Sequence, residues 1–206
     1  MGMADPWNLS ALEWSHLLVN GYQPETEAAK LAEGRTLPWS EVLLKFTGDS
    51  DTVLDLGSGR GEHSSVLAIQ GRKTALVDWS WDNIDFSSRV FKSLGHEAHF
   101  AQADITQPLP FKSGSFDVVF SCGVFEYFRD EEIDNILAEA FRVARKRVII
   151  MAPNALSLAY RIGKSYLEKT GQWNWGGERP SYTLKPNFRR FTAGQISEFL
   201  QEWFHQ

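Results

Sequence analysis

Residues 53–62, Val-Leu-Asp-Leu-Gly-Ser-Gly-Arg-Gly-Glu, constrain the possible folds of this chain more than any other segment. An apolar run of strand length contains Asp55 and is followed by Gly57, Gly59 and Gly61 on alternate positions. Glycine has no Cβ, so the backbone can turn tightly and a ligand can approach the main chain. A strand that leads through such a turn into a helix is how open α/β sheets build nucleotide pockets. The segment therefore predicts a nucleotide-like ligand.

Length and composition indicate one globular domain. The chain has 206 residues, of which 43% are hydrophobic and 23% are charged, values typical of a single domain with one large core. No apolar run approaches the roughly 20 residues of a membrane helix, and the first residues lack signal-peptide features. We therefore expect a cytoplasmic protein without a membrane partner. Cys122 is the single cysteine, so no internal disulfide or cysteine-based metal site is possible and no metal is predicted.

The charge of the chain is negative overall but unevenly distributed. A net charge of −5 argues against a nucleic-acid partner. Residues 161–190 nevertheless contain seven Lys or Arg against two Glu, and the same stretch contains Trp173 and Trp175. It is either a solvated loop or a local site for an anionic substrate.

The apolar pattern predicts an α/β fold. Strands of little alternation, separated by helices, indicate a Rossmann-like open, mostly parallel sheet with helices on both faces. Residues 7–46 are expected to form short N-terminal helices. The predicted strands are 51–56, 74–77, 98–103, 116–121 and 147–151, and the main helices are 62–70, 80–94 and one that starts near residue 130.

Polar residues stand where four of these strands end. Asp55 lies at the end of the first strand, Asp78 ends the second, Asp104 the third and Ser121 the fourth. Right-handed crossovers place all these strand ends along one edge of the sheet, where ligands of such folds bind. An isolated aspartate could merely cap a helix, but three in register predict a binding site.

The spacing of the glycines discriminates between nucleotide ligands. A dinucleotide fingerprint is Gly-x-Gly-x-x-Gly, whereas Gly57, Gly59 and Gly61 stand on alternate positions between Asp55 and Glu62. The two carboxylates would repel a pyrophosphate and suit the cationic end of S-adenosylmethionine. A nicotinamide oxidoreductase is therefore a poorer alternative.

Several motifs together resemble class I S-adenosylmethionine-dependent methyltransferases. Residues 55–61 resemble motif I of that family, and Asp78 matches the acidic residue that ends its second strand. Residues 103–105, Ala-Asp-Ile, are similar to the adenine-side motif. Residues 109–119 resemble a run of the small-molecule "type 11" branch. The resemblance covers about residues 50–153.

The resemblance implies roles in cofactor binding. The glycine loop would surround the methionine portion, Asp78 would bind the ribose hydroxyls, and Asp104 with the Ile105 backbone would flank adenine. Trp79 would either stack on adenine or pack on the following helix. The implied cofactor-binding residues are Asp55, Gly57, Ser58, Gly59, Gly61, Asp78, Trp79, Asp104, Ile105 and Ser121.

The methyl acceptor is less constrained than the donor. The Asn/Asp-Pro-Pro-Tyr motif of many enzymes that methylate nucleic acid or protein is absent, and residues 121–124, Ser-Cys-Gly-Val, stand in its place. This favours a small-molecule acceptor, and the composition of residues 161–190 favours an aromatic or anionic one. Glu126 and Tyr127 are candidates to border the acceptor or to act in catalysis, although packing roles are an open alternative. His16 and Tyr22 are weaker candidates.

The expected organisation is a single methyltransferase domain over residues 1–206. It comprises cap helices in 1–48, the cofactor-binding core in 50–153, a substrate lid in 154–191 and a helix in 192–204. The two-stranded C-terminal hairpin typical of the family has no counterpart, so the chain is expected to be part of a longer polypeptide or to form an incomplete sheet. A non-catalytic S-adenosylmethionine-binding domain is the alternative function.

Overall fold

A computed structural model describes residues 21–35 and 37–152, together with Leu158, Ile162, Ser165, Tyr166, Lys169 and Thr170. Within this part of the chain no helix is long and apolar enough to cross a membrane. Most of the predicted lid (154–191), the predicted helix 192–204 and His16 lie outside the described residues.

Among the described residues two helices precede the sheet, in the N-terminal region where short helices are predicted. Helix α1 spans Pro24–Ala32 and helix α2 spans Pro38–Phe46. Both begin with proline, which suits the first helical turn because its missing N–H would have no intrahelical partner there. Ala28 and Leu31 of α1 pack against Val66, Phe86 and Val90 of later helices, so α1 covers the layer of helices rather than the sheet.

The sheet has five parallel strands in the order β3-β2-β1-β4-β5. Each predicted strand is present, and the predicted fold class is confirmed. Strand β5 begins at Ala144 rather than at residue 147, because Ala144 already pairs with Phe116 of β4, and a register irregularity follows before Arg147 pairs with Val118. The strands are β1 (Thr52–Leu56), β2 (Lys73–Asp78), β3 (Ala98–Gln102), β4 (Phe116–Cys122) and β5 (Ala144–Met151).

Helices cover both faces of the sheet. Leu54 and Leu56 of β1 face α5, where Ile136 is fully buried, whereas Val53 faces α2 and α3. This alternation follows from the two-residue period of a strand. The connecting helices are α3 (Glu62–Ile69), α4 (Trp81–Leu94) and α5 (Asp130–Val143).

A cluster of ion pairs lies at the edge of the sheet where β1 and β4 begin. The Asp117 carboxylate accepts hydrogen bonds from the Thr52 N–H and hydroxyl, each at 2.9 Å. It also contacts Arg145 at 3.1 Å and Lys146 at 3.2 Å, and Lys146 reaches Asp51 at 2.8 Å. The hydrogen bond from the Thr52 backbone lowers the pKa of Asp117. Partial burial opposes this shift, and the neighbouring cations assist it. The carboxylates at this edge are therefore matched by cations.

Gly61 joins the glycine loop to α3 at a position that has no room for a side chain. Its φ is +71°, and an added Cβ would lie 2.7 Å from Leu76 Cδ2 and 2.8 Å from Ser87 Cβ. These neighbours belong to β2 and α4, so the loop meets both elements at van der Waals contact. Positive φ alone would favour glycine, and close packing adds a second requirement.

Replacing Gly61 by alanine is expected to lower the free energy of unfolding by about 2–4 kcal/mol, through left-handed backbone strain and overpacking. Gly71→Ala is the matched control, because Gly71 has φ +87° but no described atom within 4 Å of an added Cβ. It should cost only about 1 kcal/mol. Urea unfolding of both variants measures the difference, and equal losses would contradict the packing argument.

Candidate functional site

Three backbone N–H groups tie the glycine loop to the end of β2. Gly57 and Ser58 both donate to the Val77 carbonyl, at 2.8 and 3.0 Å, and Gly59 donates to Asp78 Oδ2 at 2.8 Å. Loop and strand end are thus one hydrogen-bonded unit. The predicted glycine loop and the predicted strand-end aspartate are brought together.

The loop is also packed against the segment that follows β4. Gly57 has φ +73°, and an added Cβ would lie 2.7 Å from Val124 Cγ2. The neighbouring Ser58 Oγ is buried and has no hydrogen-bond partner within the described residues. Because buried hydroxyls are nearly always paired, this oxygen fits a ligand that hydrogen-bonds in the loop.

Asp78 is buried, with 6% of its surface exposed, and its carboxylate accepts hydrogen bonds from several protein groups. Oδ2 accepts from Gly59, while Oδ1 accepts from the Ser80 N–H at 2.9 Å and from Asn83 Nδ2 at 3.1 Å. Burial raises the pKa of Asp78, and these hydrogen bonds oppose the rise. A carboxylate offers about four acceptor positions, so one position on Oδ2 is left. The buried Asn83 Oδ1 also has no partner among the described atoms.

Asp55 lies beneath the loop and is 3% exposed. Ser64 Oγ, in the first turns of α3, donates to Asp55 Oδ2 at 2.7 Å. Burial raises the pKa of Asp55 to about 7. The Ser64 hydrogen bond opposes this rise, and the charge of Asp78 adds to it. The side chain thus joins the end of β1 to the start of α3 through Ser64, a residue not among the predicted site residues.

The two edges of the sheet differ in how their carboxylates are compensated. Asp51 and Asp117, at one edge, contact lysine and arginine. Among the described residues no cation contacts Asp55 or Asp78 at the other edge. A buried carboxylate is costly without a counter-charge, so this edge is suited to a cationic ligand.

The residues predicted for the adenine side lie at the ends of β2 and β3. Asp104 is exposed, and its Oδ1 accepts from the Thr106 N–H at 2.9 Å and from the Thr106 hydroxyl at 2.8 Å. Ile105 is 5% exposed and places its side chain in the core, which leaves its backbone for the predicted contact. Trp79 is 41% exposed, and its carbonyl accepts from Gln102 Nε2 at 3.0 Å. Its indole is thus not enclosed by α4.

Ser121 is the predicted site residue at the end of β4. It is buried, and its hydroxyl donates to the Leu56 carbonyl at 2.8 Å, which joins the ends of β1 and β4. A short 3₁₀ helix, Phe125–Tyr127, follows β4 and contains both candidate acceptor residues. Tyr127 is partly buried there, whereas the side chain of Glu126 lies outside the described set.

Arg60 connects the glycine loop to the N-terminal segment. Its guanidinium lies 3.9 Å from the centre of the Tyr22 ring, and its Nη2 donates to Glu62 Oε1 at 2.9 Å. The sequence analysis treated Tyr22 only as a weak acceptor candidate and did not single out Arg60. In the sequence, this contact is indicated only by an arginine inside the loop and aromatic residues upstream. That pattern is too common to predict a specific pair.

Comparisons with known proteins find methyltransferases among the proteins that this chain resembles. Residues 53–147 match the family described as "Methyltransferase domain". Sarcosine/dimethylglycine N-methyltransferase of Halorhodospira halochloris is 28% identical over 145 residues, which are 68% of this chain and 51% of that protein. Phosphoethanolamine N-methyltransferase 1 of Triticum aestivum is 29% identical over 97 residues, 47% of this chain and 19% of that protein. The chain spans about half the length of the first relative and about a fifth of the second.

A solved structure shares the fold. Magnesium protoporphyrin IX methyltransferase of Synechocystis PCC 6803, crystallised with bound S-adenosylhomocysteine, has a TM-score of 0.55 and 18% identity. The match covers 98% of this chain and 78% of that chain. Residues 53–147 are thus similar to a methyltransferase domain, and the solved structure shows that the fold is shared with a methyltransferase.

The buried Asp55 carboxyl makes stability depend on pH. Because its folded pKa of about 7 lies above its ordinary value of 3.8, its contribution is fully present below about pH 4 and is lost as pH rises through 7. The wild type should therefore lose up to about 4 kcal/mol of stability relative to Asp55→Asn across that range. Urea unfolding between pH 4 and 8 measures this.

A control variant separates burial from simple loss of charge. Asp85→Asn removes a carboxylate from an exposed position on α4. Its stability difference from the wild type should be small and nearly constant over the same range. A constant difference for Asp55→Asn as well would contradict the burial argument.

Proposed function

We propose that this chain transfers the methyl group of S-adenosylmethionine to a small-molecule acceptor. The observation that supports this most strongly is the pair of buried carboxylates, Asp55 and Asp78, which contact no cation among the described residues. The ammonium and sulfonium of the donor are the charges that such an edge would attract. A pyrophosphate-containing ligand would be repelled there.

Each polar group of the site that lacks a hydrogen-bond partner would pair with a polar group of the donor. The remaining acceptor position on Asp78 Oδ2 and the unpaired Asn83 Oδ1 would accept from the two ribose hydroxyls. The Ser58 hydroxyl and the backbone of Gly57 would face the methionine portion. On the adenine side, Trp79 would stack and the second Asp104 oxygen would accept from the amino group.

The chain's own contribution to the reaction is mainly positioning. When bound, the donor would supply an electrophilic methyl group that an acceptor could attack in line, with S-adenosylhomocysteine as the leaving group that takes the electron pair of the carbon–sulfur bond. Such a step is accelerated chiefly by holding the two partners in a near-attack geometry. The loop provides this rigidity, because its N–H groups are bonded to Val77 and Asp78. Because transfer would neutralise the sulfonium and leave only the ammonium charged, Asp55 and Asp78 would hold the product less strongly than the donor.

The acceptor that we propose is a small amine with an anionic group. The two curated relatives are named for phosphoethanolamine, and for sarcosine and dimethylglycine, which are all small molecules of this kind. The excess of Lys and Arg in residues 161–190 is consistent with an anionic acceptor. Glu126 and Tyr127, which follow β4, remain the predicted acceptor-side residues.

Titration calorimetry tests the donor site. We expect binding of S-adenosylmethionine and S-adenosylhomocysteine but not of NADH. Asp78→Asn should weaken S-adenosylhomocysteine binding about 10- to 100-fold, since a hydrogen bond to a charged group contributes about 1.5–3 kcal/mol. Asp82→Asn is the matched control, because it removes an exposed carboxylate four residues away. Binding of NADH alone, or an unchanged affinity in Asp78→Asn, would refute the assignment.

Transfer of a labelled methyl group tests the acceptor class. Phosphoethanolamine, sarcosine and dimethylglycine should become labelled at higher rates than ethanolamine, which lacks the anionic group. The rates are compared with those of Asp78→Asn, in which donor binding is reduced. Faster labelling of ethanolamine would overturn the proposed anionic character, whereas donor binding without labelling of any small molecule would overturn the transferase activity.

A further inference from the structure

Glu139 and Arg142 of α5 form a rigid pair beside the loop that connects β3 to β4. Arg142 Nε lies 2.6 Å from Glu139 Oε1, and its Nη2 lies 2.7 Å from Oε2. This is the bidentate arrangement in which a planar guanidinium matches a carboxylate. The hydrogen bond from Arg142 lowers the pKa of Glu139, and Glu139 in turn raises the pKa of Arg142. The pair therefore stays ionised at neutral pH.

Both members of the pair also hold backbone atoms of that loop. The Leu109 N–H donates to Glu139 Oε2 at 2.6 Å, while Arg142 donates to the Leu109 carbonyl at 3.2 Å and to the Phe111 carbonyl at 2.8 Å. The Arg142 carbonyl accepts from the Gly114 N–H at 2.9 Å. We call this set of contacts between α5 and the loop the Glu139–Arg142 clamp.

The clamped loop carries the predicted adenine-side residues. Ile105 and Leu109 are each 5% exposed and belong to the same core cluster as Ile136 of α5. Asp104 immediately precedes this anchored stretch, and its Oδ1 is held by Thr106. Its position relative to the sheet is thus set by apolar contacts on one side and by the clamp on the other.

We propose that Glu139 and Arg142 are positioning residues for adenine recognition, acting on Asp104 through the loop that they hold. This inference rests on the proposed function, because it presupposes a bound adenine. Recognition of a single amino group requires a hydrogen-bond acceptor placed within about 0.5 Å. Asp104 itself is exposed and cannot be held there by burial, whereas four of the five Arg142 N–H groups act on Glu139 and the loop.

The test compares two ligands that differ at the 6-position of the purine and at the neighbouring N1. S-inosylhomocysteine has a carbonyl in place of the adenine amino group and a hydrogen on N1, so it cannot donate to Asp104 from the 6-position. The wild type should bind S-adenosylhomocysteine at least about tenfold more tightly than S-inosylhomocysteine. Because both affinities are measured on one preparation by calorimetry, their ratio does not depend on the fraction of folded protein.

Arg142→Lys should reduce the preference to within about threefold, because lysine keeps the charge but lacks the planar fork of donors. Glu139→Gln should act in the same direction. Arg145→Lys is the matched control, since Arg145 contacts Asp117 at the opposite edge of the sheet and the wild-type preference should persist. In Asp104→Asn the preference should already be small, and adding Arg142→Lys should change it little further.

The outcomes separate this inference from the proposed function. An unchanged ratio in Arg142→Lys, or equal weakening of both ligands, would overturn the positioning role. A loss of preference in Arg145→Lys as large as in Arg142→Lys would do the same. Failure of the wild type to bind either ligand would overturn the proposed function and the inference with it. A ratio that falls in Arg142→Lys and Glu139→Gln alone would support the inference.

Discussion

The hydrogen bonds between the glycine loop and the end of β2 are the contacts on which the rest of the site depends. Gly57 and Ser58 donate to one carbonyl and Gly59 to one carboxylate, so the loop has a single position relative to two strands. Those bonds require positive φ at alternate residues, and this explains the spacing of the glycines. They also bring Asp78 under the loop, where burial changes its acidity. Backbone geometry and electrostatics at this edge therefore have a common cause.

The distribution of charge divides the sheet into a structural edge and a binding edge, the second named for the donor site proposed there. Where β1 and β4 begin, carboxylates and cations lie within 3.2 Å and stabilise the pairing of neighbouring strands. Where β1 and β2 end, Asp55 and Asp78 are buried without such partners within the described region. Uncompensated burial lowers the stability of the free protein. A cationic ligand would offset that cost on binding, which couples stability of the fold to occupancy of the site.

Much of this arrangement could be predicted from the sequence because it is encoded locally. The apolar runs, the glycine spacing and the aspartates at strand ends all lie within a few residues of one another, and each has a direct backbone consequence. The clamp could not be predicted, since Leu109 and Glu139 are 30 residues apart and their contact exists only once α5 packs on the sheet. The start of β5 at Ala144 was missed for a related reason, because strand pairing overrode a charged local sequence.

The described contacts also bear on whether the core positions the proposed methyl donor or selects the acceptor. At the binding edge, the polar contacts of Asp55, Asp78 and Asp104 fix loops that face the proposed donor. The two curated relatives are named for different acceptors, although both align with a large part of this chain. A framework shared by proteins of different acceptor specificity cannot by itself select the acceptor. In the proposed function this framework presents one methyl group rigidly, so selection of the acceptor has to arise from segments outside it.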